Sequence, residues 1–153
     1  MRNQEFIEIR LIEESKKLLE AGFLFPTFSI ISQGIETLGA FIDKKPLTAK
    51  AQSKKRFSLA VNQLLPEIYK DLNSDNWLYK QMRCNVSHLC SSGAFIDLKF
   101  RTETSKKNKH LDLVNDQRLF VIENLLIDFH AACLTVIDRL DKEELKQKAM
   151  AIR

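Results

Sequence analysis

The chain has 153 residues, of which 44% are hydrophobic and 29% charged, with 4 glycines and 3 prolines; this excludes a disordered or collagen-like polypeptide and favours an ordered, mostly helical protein. Its net charge of +4 is a mild excess, which permits an acidic partner such as nucleic acid without requiring one. The length fits a domain with a substantial core, so we expect one domain over residues 1–153.

The N-terminal segment predicts an amphipathic helix from Asn3 to Glu20, ended by Gly22. Charged residues occur along this whole segment, which therefore lacks the apolar core of a signal peptide. We expect the chain to stay in the cytoplasm. The most apolar window, residues 23–42, is interrupted by Pro26 and by polar residues, and it predicts a core helix rather than a membrane span.

Two further helices are predicted before residue 70. The first follows Pro26 and runs to about Asp43. The next runs from about Thr48 to Tyr69, and Pro66 should kink or restart it because proline cannot donate the helical hydrogen bond.

A fourth helix is predicted to begin near Trp77, with Ser74 or Asp75 as its cap, and to end at the Ser-Ser-Gly of residues 91–93. It contains the stretch RCNVSH, which places Arg83 and His88 near the far end of the helix and therefore near solvent.

After this helix the hydrophobic period changes from about 3.6 to about 2. Residues 94–101 and 110–114 alternate apolar and polar side chains, which predicts a β-hairpin with a basic tip at residues 102–109. Asn115 or Asp116 should then cap a long apolar helix that continues to Leu140, followed by a charged tail. The predicted fold class is all-α, an up-and-down bundle of four to five helices with a β-hairpin inserted before the last long helix.

Arg83 and His88 need a chemical explanation because core helices rarely bury an unpaired guanidinium. A histidine with the ordinary pKa near 6.5 can take a proton from a ribose 2′-hydroxyl, or give one to a leaving 5′-oxygen, at neutral pH. An arginine presents a planar fork to phosphate and stabilises the charge that develops in the pentavalent transition state. Attack by a 2′-hydroxyl requires no metal and leaves a cyclic phosphate.

The Arg-x-x-x-x-His motif, preceded by LYKQM and followed by a short insert and a long apolar helix, resembles the HEPN superfamily (higher eukaryotes and prokaryotes nucleotide-binding). The resemblance covers the order of elements from about residue 3 to 140. Members are typically small dimeric bundles, and many are metal-independent RNases that act as toxins or in phage defence. For this chain the resemblance implies a bacterial, homodimeric endoribonuclease without cofactor or metal, with RNA as substrate and an antitoxin protein as a further partner. Its catalytic pair would be Arg83 and His88, with Asn85 and Ser87 in supporting positions.

Two positions differ from the family pattern. The residue after the arginine is often Asn or Asp in the family, and here it is Cys84. One branch of the family has a tyrosine two places after the histidine, which a partner nucleotidyltransferase modifies. Cys90 occupies that place, so the resemblance does not extend to this mode of control.

Two difficulties with the motif predict a homodimer. One histidine per chain cannot easily serve as both general base and general acid. In a regular α-helix five residues turn through about 500°, so Arg83 and His88 would point about 140° apart. A two-fold axis that brings two motifs together addresses both difficulties.

A structural reading of the motif stays open. In it, Arg83 pairs with a carboxylate such as Glu36, and His88 caps a helix end. Trp77 and Tyr79 have two readings as well, stacking on RNA bases or packing into the core.

Two other functional classes also stay open. One is a non-catalytic HEPN-like module that binds a nucleotide, RNA or a protein partner. The other is a helical domain in which Cys84 with His88, and His130 with Cys133, hold a zinc ion from neighbouring helices.

Two basic clusters, residues 44–56 and 101–109, are candidates for contact with nucleic acid. A solvated surface is the alternative for both clusters. We assign RNA contact to the tip of the predicted hairpin and to Arg101 just before it, and the mobile charges of the tip would contribute affinity rather than chemistry; the cations are Arg101, Lys106, Lys107 and Lys109.

Overall fold

The computed structural model describes residues 1–150 and is mostly helical with a small three-stranded sheet, which confirms the expected helical character. Helix α1 covers residues 3–20 and joins Asn3–Phe6, a π-helical segment Ile7–Glu13 and Glu14–Glu20. It is followed by α2 (Leu24–Ile42), α3 (Ser53–Leu64) and α4 (Glu67–Leu72). Helix α5 covers residues 77–89 and joins Trp77–Tyr79, a π-helical segment Lys80–Cys84 and Asn85–Leu89. The remaining elements are β1 (Ile96–Lys99), β2 (Leu113–Val114), β3 (Gln117–Val121) and α6 (Ile122–Asp141).

Helix α2 lies at the centre of the molecule and contacts α1, α3, α5 and α6. Its side chains join one connected apolar core with those of the surrounding helices and the sheet. Burial of this apolar surface is the main favourable term in folding. The largest fully buried side chains of the core are Phe28, Phe41, Phe57, Tyr69, Phe120 and Phe129.

Helices α2 and α3 approach each other closely at Gly39. A Cβ atom on Gly39 would lie 1.9 Å from the carbonyl oxygen of Arg56, so only glycine fits at this crossing. The Arg56 side chain is buried beside the crossing and donates from Nε to Asp43 over 2.7 Å. Backbone contact and a buried ion pair therefore hold the start of α3 against the C-terminal half of α2.

Most predicted helix ends are observed within a few residues. Gly22, with φ of 79°, ends α1, and the amides of Gly22 and Phe23 donate to Leu19 and Leu18 in a Schellman motif. Helix α2 begins two residues before Pro26, which is tolerated in the first turn because no helical partner is lost there.

The predicted restart at Pro66 is confirmed. Helix α3 ends at Leu64, and α4 begins at Glu67. The start of α3 at Ser53 lies later than the predicted Thr48, since residues 43–52 form a turn region instead.

The prediction that Ser74 or Asp75 caps the fourth helix is wrong. The residue before α5 is Asn76 in a left-handed conformation, and neither predicted side chain caps the helix. The Asn73 side chain does so instead, because its Oδ1 accepts from the amide of Tyr79 over 3.0 Å.

The predicted pairing of residues 94–101 with residues 110–114 is wrong. The sheet order is β1-β3-β2, so β1 pairs in parallel with β3, which is central. The hairpin is formed by β2 and β3, whose strands are antiparallel. The predicted class was all-α with an inserted hairpin. The observed fold is mostly helical with a mixed three-stranded sheet.

The role predicted for Asn115 and Asp116 is also wrong. Both residues have positive φ, 50° and 62°, and form the tight turn between β2 and β3 rather than a helix cap. Leu119 lies in β3, and α6 begins only at Ile122. A short apolar run at residues 119–122 fits a buried strand or a helix start equally well. Pairing with β1 places residues 119–121 in a strand.

A buried hydrogen-bonded chain attaches the segment between β1 and β2 to the bundle. The Tyr69 hydroxyl donates to Asp128 over 2.6 Å and lies 2.8 Å from Nε2 of His110. The Val121 amide donates to Nδ1 of the same imidazole. Burial lowers the pKa of His110 to about 4, and Arg101 adds to the shift, so the ring is neutral near pH 7.

The tail that follows α6 packs back onto the C-terminal end of α2. The Lys148 ammonium donates to the carbonyl oxygens of Ala40, Asp43 and Lys45 and to the Asp43 carboxylate. The Asn3 side chain donates to the Lys148 carbonyl over 2.8 Å. The carbonyls at and just after the C-terminal end of α2 thus receive hydrogen bonds from Lys148, in the C-terminal tail.

Within residues 1–150, none of the helices combines the length and apolar character that crossing a membrane requires.

We expect Gly39→Ala to destabilise the fold by about 2 kcal/mol or more, because the added methyl would overlap the Arg56 backbone rather than a side chain that can turn away. Thermal unfolding followed by circular dichroism measures the effect. Asn62→Ala, on the exposed face of α3, is the matched helical control and should change the melting temperature little. Equal melting temperatures for the two variants would contradict the close crossing.

Candidate functional site

Helix α5 carries the Arg-x-x-x-x-His motif on its outer side. Leu78, Met82 and Val86 face the core at successive turns and are buried. Arg83 stands next to the buried Met82 and is half-buried, whereas His88 is exposed in the last turn. The helix therefore presents one anchored and one free functional group.

The guanidinium of Arg83 is fixed by a carboxylate on α2. Its Nε donates to Oε2 of Glu36 over 2.5 Å, and the two side chains are 22% and 21% exposed. Within residues 1–150 its two Nη atoms have no hydrogen-bond partner. The pair therefore orients the arginine while leaving the outer edge of its fork available to an anion.

The same carboxylate receives a second donor from α3. The Ser53 hydroxyl donates to Oε2 of Glu36 over 2.7 Å, and the Tyr79 hydroxyl donates to Ser53 over 3.0 Å. These contacts form a polar cluster of Tyr79, Ser53, Glu36 and Arg83 that connects α2, α3 and α5. Charge-assisted hydrogen bonds of this kind are stronger than neutral ones.

Tyr79 is neutral in this cluster. Burial raises its pKa, and Cys84 and Glu36 beside it raise it further, although the hydrogen bond with Ser53 acts in the opposite direction. The ring also packs edge-on against Phe57, with centroids 5.5 Å apart. Tyr79 and Trp77 both pack against the core, as the core reading of these aromatic residues predicted.

The assumption of a regular α-helix around Arg83 is wrong, because Lys80–Cys84 is π-helical. Two carbonyls in this segment have donors from outside the helical ladder: the Asn85 side chain donates to Lys80 over 2.9 Å, and the Gly93 amide donates to Gln81 over 2.9 Å. Such donors tilt carbonyls outward and accompany local widening. Since π-helical turns rotate less per residue, the 140° angle does not apply here; such turns are frequent at functional sites.

His88 lies in an exposed region with unpartnered apolar side chains. Among the described residues the imidazole has no hydrogen-bond partner, so it does not cap the helix. Leu89 is 69% exposed and Phe95 is 56% exposed. Cys90 follows with φ of 50° and ends the helix slightly before the predicted Ser-Ser-Gly.

The other predicted site residues lie apart from the polar cluster. Ser87 is exposed, and Asn85 is engaged with the backbone of its own helix. Arg101 donates to the Asn124 side chain over 2.7 Å and to the Asn108 carbonyl. Lys106, Lys107 and Lys109 are exposed in the segment between β1 and β2.

That basic segment lies at the end of β1 opposite the motif. Gly93, just before β1, bonds to α5, whereas Arg101 follows the other end of the strand and bonds to α6. Four strand residues span about 10 Å. The structure therefore does not bring the predicted RNA-binding cations next to Arg83.

The zinc interpretation lacks a ligand cluster. No group of three or more His, Cys, Asp or Glu side chains in residues 1–150 is placed to hold a metal ion. His130 instead bonds through Nε2 to the buried Ser15 of α1 over 2.8 Å, and burial lowers its pKa. Cys133 is buried, and desolvation raises the pKa of its thiol.

Sequence reasoning identified Glu36 as a partner of Arg83 only in the structural alternative, and it missed Ser53. Ser53 is 17 positions from Glu36 and 26 from Tyr79, so no local spacing connects these residues. The available indication was that Ser53 lies within the basic run of residues 44–56, a candidate for contact with nucleic acid.

Searches of family models, of curated proteins and of solved structures gave no match to this chain.

Proposed function

We propose that this protein is a metal-independent endoribonuclease of HEPN type, in which Arg83 and His88 act on a phosphodiester at a dimer interface. The observation that carries the proposal is the state of two side chains five positions apart on α5. Arg83 is fixed through Nε and has free Nη atoms, and His88 is exposed. A toxin or phage-defence role follows from the family resemblance.

Arg83 would bind the scissile phosphate through its Nη edge. Glu36 holds the guanidinium from behind, so little side-chain entropy remains to be lost when an anion binds. A preorganised cation stabilises the charge that develops on the nonbridging oxygens during attack by the 2′-hydroxyl.

His88 would transfer protons at the same phosphate. An exposed imidazole can approach either the attacking 2′-hydroxyl or the leaving 5′-oxygen, but it cannot do both from one position. In a symmetric dimer the second chain supplies the second His88. Leu89, the residue after His88, offers exposed apolar surface for such a contact, and Phe95 in the segment that follows α5 is exposed as well.

The competing function is a non-catalytic module that binds a nucleotide, RNA or a protein. The observation that favours it is the ion pair itself, since Glu36 neutralises Arg83 as a purely structural pair would. The two functions differ in the role of His88. The ribonuclease requires it to transfer protons, whereas a binding module performs no chemical step.

We expect His88→Ala to lower RNA cleavage by roughly 10² while the melting temperature stays within a degree or two, because the removed ring is exposed and unpartnered. Arg83→Lys should also impair cleavage strongly, since an ammonium lacks the fork that binds Glu36 and phosphate together. Cleavage of total RNA in the presence of a chelator measures both effects.

Cys133→Ser is the control for a structural effect. It places a hydroxyl in the apolar core and should lower the melting temperature before it affects cleavage. Unfolding of His88→Ala, or undiminished cleavage by it, would contradict the assigned role.

We expect the protein to sediment as a dimer at micromolar concentration, with Leu89 and Phe95 in the contact. Phe95→Glu should shift it toward a monomer and reduce cleavage, because a carboxylate would be desolvated between the two chains. Ile127→Glu, at an exposed apolar position on α6, is the matched control and should leave the dimer intact. A wild-type monomer would remove the composite site.

A further inference from the structure

The segment that connects α2 to α3 forms a surface with a single sign of charge. Residues 44–55 contain five lysines and no acidic residue. All five side chains are exposed, and none forms an ion pair within residues 1–150; they are Lys44, Lys45, Lys50, Lys54 and Lys55. These five residues are called the lysine surface below.

The carboxylates around this region already have partners; Glu144, which lines the same cavity as Lys44 and Lys45, pairs with Arg139. Asp43 binds Arg56 over 2.7 Å and Lys148 over 2.8 Å, while Glu36 binds Arg83. They therefore do not neutralise the lysine surface. The charge of these five side chains remains available to a polyanion.

The backbone beneath the lysine surface is held in place. The buried Arg56 donates to the carbonyls of Pro46 over 2.8 Å and Leu47 over 3.0 Å. Lys148 donates to the carbonyl of Lys45, whose own ammonium bonds to Gln52 over 2.9 Å. A fixed backbone sets the spacing of the cations before any ligand binds.

The lysine surface and the polar cluster meet in the sequence at the start of α3. Ser53 directly precedes Lys54 and Lys55 and donates to the carboxylate that holds Arg83. The segment 101–109, by contrast, includes Glu103, and the amide of Arg101 bonds to Glu123 at the start of α6. At the start of α3, Lys54 and Lys55 therefore follow a residue that binds the carboxylate of Glu36, whereas no hydrogen bond within residues 1–150 joins the segment 101–109 to the polar cluster.

We infer that the lysine surface is the main binding site for the phosphate backbone of the RNA strand whose scissile phosphate lies at Arg83. This inference rests on the proposed function. The strand leaves Arg83 across the start of α3, where point charges bind successive phosphates without reading the bases. The segment 101–109 then makes at most a secondary contact.

The test measures binding of a fluorescent single-stranded 2′-O-methyl RNA, which cannot undergo 2′-hydroxyl attack, over a series of salt concentrations. A variant with Lys50, Lys54 and Lys55 each changed to Gln should weaken binding roughly tenfold and reduce the slope of log K against log salt by about 2. The matched control changes Lys106, Lys107 and Lys109 to Gln and removes the same charge. This control variant should reduce the salt slope by less than half of the reduction expected for the first variant.

The outcomes separate this inference from the proposed function. An equal or larger effect of the control variant, or an unchanged slope for the first variant, would overturn the lysine surface even if wild-type protein cleaves RNA. Wild-type protein that binds the probe through the lysine surface but cleaves no RNA would overturn the ribonuclease and leave the binding surface in place.

Discussion

The close approach of α2 and α3 at Gly39 is the constraint on which the candidate site depends. Because a side chain there would overlap the Arg56 backbone, the two helices touch only if this position is glycine. The contact places Ser53 within 2.7 Å of Glu36, one helical turn before Gly39. The crossing therefore brings the start of α3 next to the carboxylate that fixes Arg83.

A buried ion pair between Asp43 and Arg56 reinforces the crossing. Burial alone would raise the pKa of Asp43, but hydrogen bonds from Arg56 and Lys148 outweigh it, so the carboxylate stays ionised. Removing one partner from such a buried pair is costly because the remaining charge stays desolvated. The Glu36 and Arg83 pair is more exposed and can exchange partners with solvent or an anion at lower cost.

The two arginines differ in how many of their hydrogen-bond donors have partners. All three guanidinium nitrogens of Arg56 donate hydrogen bonds, to Asp43, Pro46 and Leu47, and its side chain is 6% exposed. Only Nε of Arg83 has a hydrogen-bond partner within residues 1–150, so its two Nη atoms remain unused. An arginine with unused donors at a surface is suited to binding an anion, whereas one with satisfied donors is suited to holding two segments together.

Local signals predicted the helices well. Gly22, Pro66 and Trp77 mark ends or starts that the structure confirms, since each acts through its own backbone or through near neighbours. The sheet could not be predicted in the same way. The partner of β1 is chosen by long-range pairing, and the run at residues 119–122 carries no period that separates strand from helix.

The candidate site was predicted only in part, because some of its contacts are long-range. The spacing of Arg83 and His88 is visible in one helix, but the bond that fixes Arg83 comes from Glu36 on another helix, and Glu36 is in turn held by Ser53. The π-helical segment is accompanied by a donor from outside the helix, the Gly93 amide, and a regular periodicity did not indicate it.

The most direct test of the central claim is the chemistry of the RNA ends produced by homogeneous protein in the presence of a chelator. Attack by a 2′-hydroxyl leaves a 2′,3′-cyclic phosphate on one fragment and a 5′-hydroxyl on the other. We expect both ends, detected by mass spectrometry of a short labelled RNA. Products with 5′-phosphate ends that require a divalent metal, or no products at all, would contradict the assignment of Arg83 and His88 to phosphodiester cleavage.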